Sequence, residues 1–276
     1  MLGRPIAHSL SPVIHNAGYA AAGLTGWSYT RIECAAAELA DLVAGLGPEW
    51  AGLSVTMPGK EAALAVAAEV SPVAATVGAA NTLVRRLDGS WYADNTDVIG
   101  MVEVLTEAGV RPGATVAVLG AGGTARAALA AAAHLHAAGV TVAARRPAAV
   151  AALAPVAAAL GVAMTVAPWS EALRSEALGS GGSLLAGVDV LVSTVPKGAV
   201  DEVAGAVRWR PGTVLFDAIY DPWPTPLAAS AGAAGCRVVS GLDLLLAQAI
   251  GQFEQFTGVP APRPAMAAAL AAARTG

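Results

Sequence analysis

Two α/β domains, the second built on a doubly wound parallel sheet, are what this sequence predicts, and three observations carry the prediction. At 276 residues the chain exceeds what one hydrophobic core usually serves. From about residue 98, short runs rich in Val and Leu alternate with alanine-rich helical stretches, the texture of strands buried on both faces of a parallel sheet. The first of those runs ends in a glycine cluster that opens a helix. Hydrophobic residues make up 55% of the chain, but much of that is alanine. Pro155, Gly161 and Pro168 cut the uncharged stretch 147–170 into pieces too short to span a bilayer.

Ser9-Leu10-Ser11-Pro12 puts a capping hydroxyl ahead of a proline suited to the first helical turn, which predicts a helix from there to about Ala22. Alternation over 28–33 predicts a strand, and Leu39, Leu42, Val43 and Leu46 fall on one helix face. A short strand over 52–55 leads to Pro58, again suited to a first helical turn, so Lys60 is expected at the mouth between strand end and helix start. Asp88-Gly89, flanked by 82–86 and 91–93, predicts a hairpin. Further strands are expected over 115–119, 140–144, 163–166, 188–192, 214–217 and 237–239, with Ser180-Gly181-Gly182-Ser183 as a surface loop. A long helix over about 242–257, carrying Gln248 on an apolar run, is expected to fold back onto the first domain. The resulting division is 1–97, 98–240, and 241–276 completing the first domain, with a cleft between the two.

Sixteen basic residues against twenty acidic ones give a net charge of −4 and no basic stripe, which counts against a nucleic-acid partner. Cys34 and Cys236 are isolated, without metal-like spacing, and read as reduced buried thiols; no metal site is expected. No charged leader followed by an apolar stretch opens the sequence, so a cytoplasmic protein is expected, monomeric or homodimeric and without a membrane partner. Among the sixteen basic residues only Lys60 and Lys197 are lysines. Arginine stays protonated, whereas lysine can be brought into a titratable range, so Lys60 is a candidate proton carrier. Chance survival of two lysines stays open on count alone.

Gly120-Ala121-Gly122-Gly123 follows the apolar run 116–119 and opens a helix, the arrangement that lets backbone N–H groups approach a pyrophosphate in a Rossmann-type domain. Gly123 adjoins Gly122 rather than standing three residues on, so a plain strand–helix turn remains the alternative. The next strand ends in Ala144-Arg145-Arg146 with no carboxylate, which suits a 2′-phosphate and favours NADP over NAD, unless both arginines only cap the strand. Of three asparagines, Asn81 and Asn95 lie in Asn81-Thr82 and Asp94-Asn95-Thr96-Asp97. Amides, hydroxyls and a carboxylate beside a lysine suit a polyhydroxylated ligand, although each alone also serves as a turn or cap residue.

Eight ordered motifs then coincide: Pro5-Ile6-Ala7-His8-Ser9-Leu10-Ser11-Pro12, Ser54-Val55-Thr56-Met57-Pro58-Gly59-Lys60, Gly78-Ala79-Ala80-Asn81-Thr82, Asp94-Asn95-Thr96-Asp97, Gly120-Ala121-Gly122-Gly123, Ser193-Thr194-Val195-Pro196, Asp217-Ala218-Ile219-Tyr220-Asp221-Pro222 and the run from Gly241 to Gln248. Over nearly its full length the chain resembles the shikimate dehydrogenases. The resemblance implies NADP-dependent reduction of 3-dehydroshikimate to shikimate in the pathway to aromatic amino acids, with Lys60 and Asp97 as the acid/base pair. It further implies that Ser9 and Ser11, helped by Tyr220, bind the substrate carboxylate and that Thr56, Asn81, Asp97 and Gln248 hold the ring hydroxyls. Gly120, Ala121, Gly122, Gly123, Arg145, Arg146 and Gly241 would face the cofactor. A quinate or aminoshikimate dehydrogenase would share these motifs, and a non-catalytic dinucleotide sensor could keep the glycine loop. Three departures stand out. Ser54 occupies a position where the family usually has Asn, and Ala144-Arg145-Arg146 replaces a common Asn-Arg-Thr. Family members also carry a short strand before the Gly3-Arg4-Pro5-Ile6 segment, which predicts a strand edge left unpaired here. Lys197 matches no family position and reads as surface.

Overall fold

The computed structural model describes residues 1–172, 187–205 and 207–274. The chain divides into two units, Met1–Gly100 with Leu245–Gly276, and Met101–Leu244. Ser180 to Ser183 lie outside the described residues.

In the first unit, Leu2–Gly3 (β1) pairs in parallel with Ile32–Glu33 (β2), and Leu2 bridges Val55, just beyond Gly52–Ser54 (β3). From β3 the sheet continues antiparallel through Thr82–Arg85 (β5) and Trp91–Asp94 (β6) to a parallel edge, Glu69–Val70 (β4). The Asp88-Gly89 hairpin forms as expected. The strand expected over 28–33 shrinks to β2, because a strand exists only where a neighbour completes its ladder and β1 offers two residues. The edge expected to be unpaired is thus paired over those two residues. The first helix, Ser11–Ala21, begins where expected, but its N-cap is Leu10 and no side chain caps it; the Ser9 hydroxyl instead accepts from Ser11 N at 3.3 Å. Pro58 does not open a helix: it lies in a turn closed by Gly59 N donating to Thr56 O (2.8 Å), and the helix starts only at Ala62–Ala65. Leu39, Val43, Leu53, Val55, Leu83 and Trp91 fill the core beneath this sheet.

In the second unit Thr115–Leu119 (β7), Gly139–Ala143 (β8), Met164–Val166 (β9), Val190–Ser193 (β10), Val214–Asp217 (β11) and Arg237–Ser240 (β12) form one parallel sheet in the order β12-β11-β10-β7-β8-β9. The strand order reverses beside β7, so the carboxyl ends of β7 and β10 meet at the switch point of a doubly wound sheet. Helix Gly123–His134 covers it with Ala127, Ala128, Ala130, Ala131 and Ala132, none more than 2% exposed. Such small side chains let the helix lie close to the strands, which is what the alanine bias achieves here.

The unit boundary falls within the long helix Gly241–Thr257, whose residues from Leu245 onward belong to the first unit. A further helix, Arg263–Ala273, which the alanine-rich sequence did not reveal, packs on Ser11–Ala21. Gly18 makes that approach possible, since a Cβ there would stand 3.1 Å from Met266 Sδ. No described helix is long and apolar enough to cross a membrane.

Candidate active site

Lys60 is held by its backbone before its side chain does anything. Its carbonyl accepts from Ala80 N (2.7 Å), which ties the turn after β3 to the segment leading into β5. Gly78, at φ +66° in the left-handed region, ends helix Pro72–Val77 and redirects the chain into that segment. Asn95 Nδ2 donates to Ala79 O (2.8 Å) and Asn81 N to Asp94 O (3.1 Å), so the end of β6 is fixed to the same place. The helix that follows, Thr96–Glu107, carries Asp97 in its first turn, where a carboxylate is favoured by the exposed N–H groups.

The side chains then converge. Lys60 Nζ donates to Asp97 Oδ2 in a short ion pair, with the two side chains 15% and 7% exposed. Charges this far from water need such a partner, because desolvation of either alone would cost several kcal/mol. Asn81 Nδ2 donates to Asp97 Oδ1 (2.9 Å) and Thr96 Oγ1 (3.0 Å), with Gln248 Oε1 at 3.4 Å. Asn81 Oδ1 accepts from Thr82 Oγ1 (2.7 Å) and Thr96 N (2.8 Å). Gln248 donates to Leu245 O (2.8 Å). The structure thus brings together Lys60, Asn81, Asp97 and Gln248 from four segments of the first unit. An ammonium held against a carboxylate, with amides beside it, can pass a proton to a neighbouring oxygen and hold hydroxyl groups.

Thr56 lies in the turn preceding Lys60, its N donating to Leu2 O (2.8 Å) and its methyl pressed against Gly3, where no Cβ would fit. Ser9 and Ser11 are buried at the start of Ser11–Ala21. Behind the cluster the side-chain chain continues through Gln252, Ser54 and Tyr29; in the sequence Ser54 stood out only as a departure from the family's usual Asn, and Gln252 and Tyr29 did not stand out. The available signal was spacing: Gln252 stands four residues after Gln248, on the same helix face. Tyr29 stacks on His15 with centroids 4.2 Å apart and planes at 7°. Burial drives the His15 imidazole down to about 3 and pushes the Tyr29 phenol far above its ordinary value.

The remaining candidates lie in the second unit, at the carboxyl edge of its sheet. The register aligns Leu119, Ala143, Ser193, Asp217 and Ser240, so Gly120, Ala144, Thr194, Ala218 and Gly241 follow at a common edge. Gly120, at φ +113°, sits so close to the Thr194 side chain that no Cβ could be accommodated. Gly122 caps helix Gly123–His134, whose first N–H groups therefore face outward along with Ala121. Arg145 and Arg146 are exposed just past β8, with no carboxylate between Ala143 and Pro147. This donor set fits a pyrophosphate at the helix end and a 2′-phosphate at the arginines. Gly241 packs on the Ala218 backbone, with Tyr220 alongside. Asp217 organises that loop, accepting from Thr225 Oγ1 (2.7 Å) and Ile219 N (3.2 Å); burial raises its carboxyl above the usual range. Lys197 is exposed in the turn after β10.

Comparison with known proteins completes the picture. The model of the shikimate dehydrogenase substrate binding domain matches residues 1–83, and that of the shikimate 5′-dehydrogenase C-terminal domain matches residues 241–271. The shikimate dehydrogenase (NADP(+)) of Moorella thermoacetica is 38% identical over 270 residues, covering 95% of this chain and 88% of that protein. The chain belongs to the shikimate dehydrogenase family. A crystal structure of the Mycobacterium tuberculosis shikimate dehydrogenase superposes with a TM-score of 0.85 at 49% identity, covering 98% of this chain and 97% of that one. The Thermus thermophilus shikimate 5-dehydrogenase, solved in complex with NADP(H) and shikimate, gives 0.81 at 28% identity, covering 99% and 97%. The two-domain α/β architecture expected from the sequence is that of this family.

Proposed function

We propose that this protein is an NADP-dependent shikimate dehydrogenase, an oxidoreductase that reversibly reduces 3-dehydroshikimate to shikimate, with the first unit holding the substrate and the second the cofactor. The observation that carries the proposal is the buried Lys60–Asp97 pair with the Asn81 and Gln248 amides beside it. NADPH, when bound, supplies the hydride that converts the ketone carbon to an alcohol carbon. Lys60 donates the proton to the oxygen on which negative charge develops and recovers it in the reverse direction. Asp97 keeps that ammonium oriented through Oδ2, while Asn81 holds Oδ1. A positioned acid/base group contributes about 10²–10⁴-fold to rate.

Thr56, Asn81, Asp97 and Gln248 hold the ring hydroxyls, and Ser9 and Ser11 the carboxylate. Arg145 and Arg146 face the 2′-phosphate and select NADP over NAD. The test is purified protein given shikimate or quinate with NADP⁺ or NAD⁺, following the absorbance of reduced nicotinamide in all four combinations. Shikimate with NADP⁺ is expected to turn over fastest. Faster turnover of quinate, or equal rates with NAD⁺, would reassign the substrate or the cofactor respectively.

A further inference from the structure

Behind the ion pair lies a buried polar chain that the reaction as stated does not use. Ser54 and Thr82 are cross-strand partners on β3 and β5, and Gln252, 1% exposed, reaches both from the helix Gly241–Thr257. Its Oε1 accepts from Ser54 Oγ (2.6 Å), and its Nε2 donates to Asn81 O (3.0 Å) and Thr82 Oγ1 (3.1 Å). Both amide hydrogens and one acceptor site are therefore engaged. Tyr29 OH donates to Ser54 Oγ (2.5 Å), which leaves the Ser54 hydrogen for Gln252 alone.

The direction of these bonds matters. Thr82 has one hydroxyl hydrogen, and because its oxygen already accepts from Gln252, that hydrogen is free to go to Asn81 Oδ1 (2.7 Å). Asn81 is held with Oδ1 toward Thr82 and the Thr96 backbone N–H and with Nδ2 toward Asp97, so the Thr82 hydroxyl adds to the orientation that the Thr96 N–H sets. Asp97 Oδ1 accepts from Asn81 and Oδ2 from Lys60.

We infer that Gln252 is a positioning residue: anchored by Ser54, it fixes the donor direction of Thr82 and so the orientation of the Asn81 amide that aligns Asp97 with Lys60. The catalytic part of this inference rests on the reaction proposed above; the positioning part does not. Because the chain has three asparagines, selective ¹⁵N-asparagine labelling gives three side-chain amide pairs, and the pair lost in Asn81→Asp is that of Asn81. In Gln252→Met the Asn81 pair is expected to shift and to exchange faster with solvent. In Gln255→Met it should stay in place, since Gln255 sits on the same helix but donates to Asp94 Oδ2 (2.6 Å), off this chain. Ser54→Ala, which removes the anchor at Gln252 Oε1 together with the acceptor of the Tyr29 hydroxyl, should move the Asn81 pair in the same direction by less, and decides the matter if Gln252→Met does not fold.

In shikimate oxidation, Gln252→Met should lower kcat by roughly 10- to 100-fold with the KM for NADP⁺ unchanged. In an Asn81→Ala background the same substitution should cost under about 3-fold, because the residue it acts through is gone. Gln255→Met should stay within about 3-fold of the wild type. An unmoved Asn81 pair in a folded Gln252→Met protein, or an equal loss of kcat in both backgrounds, overturns the inference. A wild type inactive on shikimate would instead overturn the reaction, with the amide spectra still deciding the positioning.

Discussion

Around Lys60 the polar side chains are held largely by one another, with backbone groups adding to the network, whereas at the carboxyl edge of the second sheet the backbone does most of the placing. In the first unit Lys60, Asp97, Asn81, Thr82, Thr96 and Gln252 satisfy one another away from water, and removing one member leaves others buried without a partner. In the second unit a common strand register brings Gly120, Thr194 and Gly241 to one edge, and the two arginines added there stand in solvent. The first design gives a fixed geometry that tolerates little change. The second separates shape, set by glycine, from charge, set by exposed residues that can be exchanged one at a time.

The largest test of that contrast is Asp97→Asn, which leaves the Lys60 ammonium buried beside a neutral amide. It should lower kcat by about 10²–10⁴-fold, or roughly 3–5 kcal/mol, in steady-state assays of shikimate oxidation. A loss under tenfold would mean the buried cluster is structural only.

A second test concerns His15, which is neutral in the folded protein because burial lowers it from 6.5 to about 3. The unfolded chain therefore binds the proton more readily, and the stability associated with this group is intact above pH 6.5 and falls as pH drops toward 3. Between pH 7 and pH 4 the loss is about 3 kcal/mol, from a change of 2.5 pH units below 6.5. Urea unfolding midpoints across that range should decline for the wild type and decline less for His15→Phe; parallel slopes would show that His15 is not held neutral.

Smaller still is the expected effect of Arg145→Ala combined with Arg146→Ala. Loss of charge-assisted bonds worth about 1.5–3 kcal/mol should raise the KM for NADPH by 10- to 100-fold and leave NADH unaffected. The melting temperature should not change, because both side chains are exposed. An unchanged preference for NADPH would remove these arginines from the adenosine site, and a fall in melting temperature would break the separation of charge from shape.

The same contrast explains what could be read from the sequence. The strands of the second sheet were legible to within a residue or two because its central strands, buried on both faces, are continuous apolar runs, and because Gly120 marks the end of β7. Lys60 was legible as one of two lysines, Asn81 and Asp97 as an amide and a carboxylate at strand ends, and Gln248 as a polar residue on an apolar run, while the roles given to Asn81, Asp97 and Gln248 came from the family resemblance. The strand over 28–33 was overestimated because its length is set by β1, a partner that local alternation does not register. Ser9 and Ser11 looked like a cap and Pro58 like a helix start because those rules are local; Ser9 instead meets Ser11 N within the same turn, and at Pro58 the neighbouring Thr56 and Met57 are tied to Leu2 and Arg4. Gln252 and Tyr29, and the partnership of Ser54 with them, were missed because a buried polar group is recognisable only through its partners, and Ser54 and Gln252 lie 198 residues apart. The helix Arg263–Ala273 was hidden because alanine fits either face of a helix and leaves little periodic signal.

The most direct measurement is the rate of 3-dehydroshikimate reduction by NADPH in Lys60→Arg, compared with the wild type and Lys60→Ala. Arginine keeps the positive charge beside Asp97 but does not release its proton under working conditions. Both variants should lose about 10²–10⁴-fold in kcat. A Lys60→Arg enzyme turning over at a near-normal rate would show that the residue supplies charge alone, and that proton transfer takes place elsewhere.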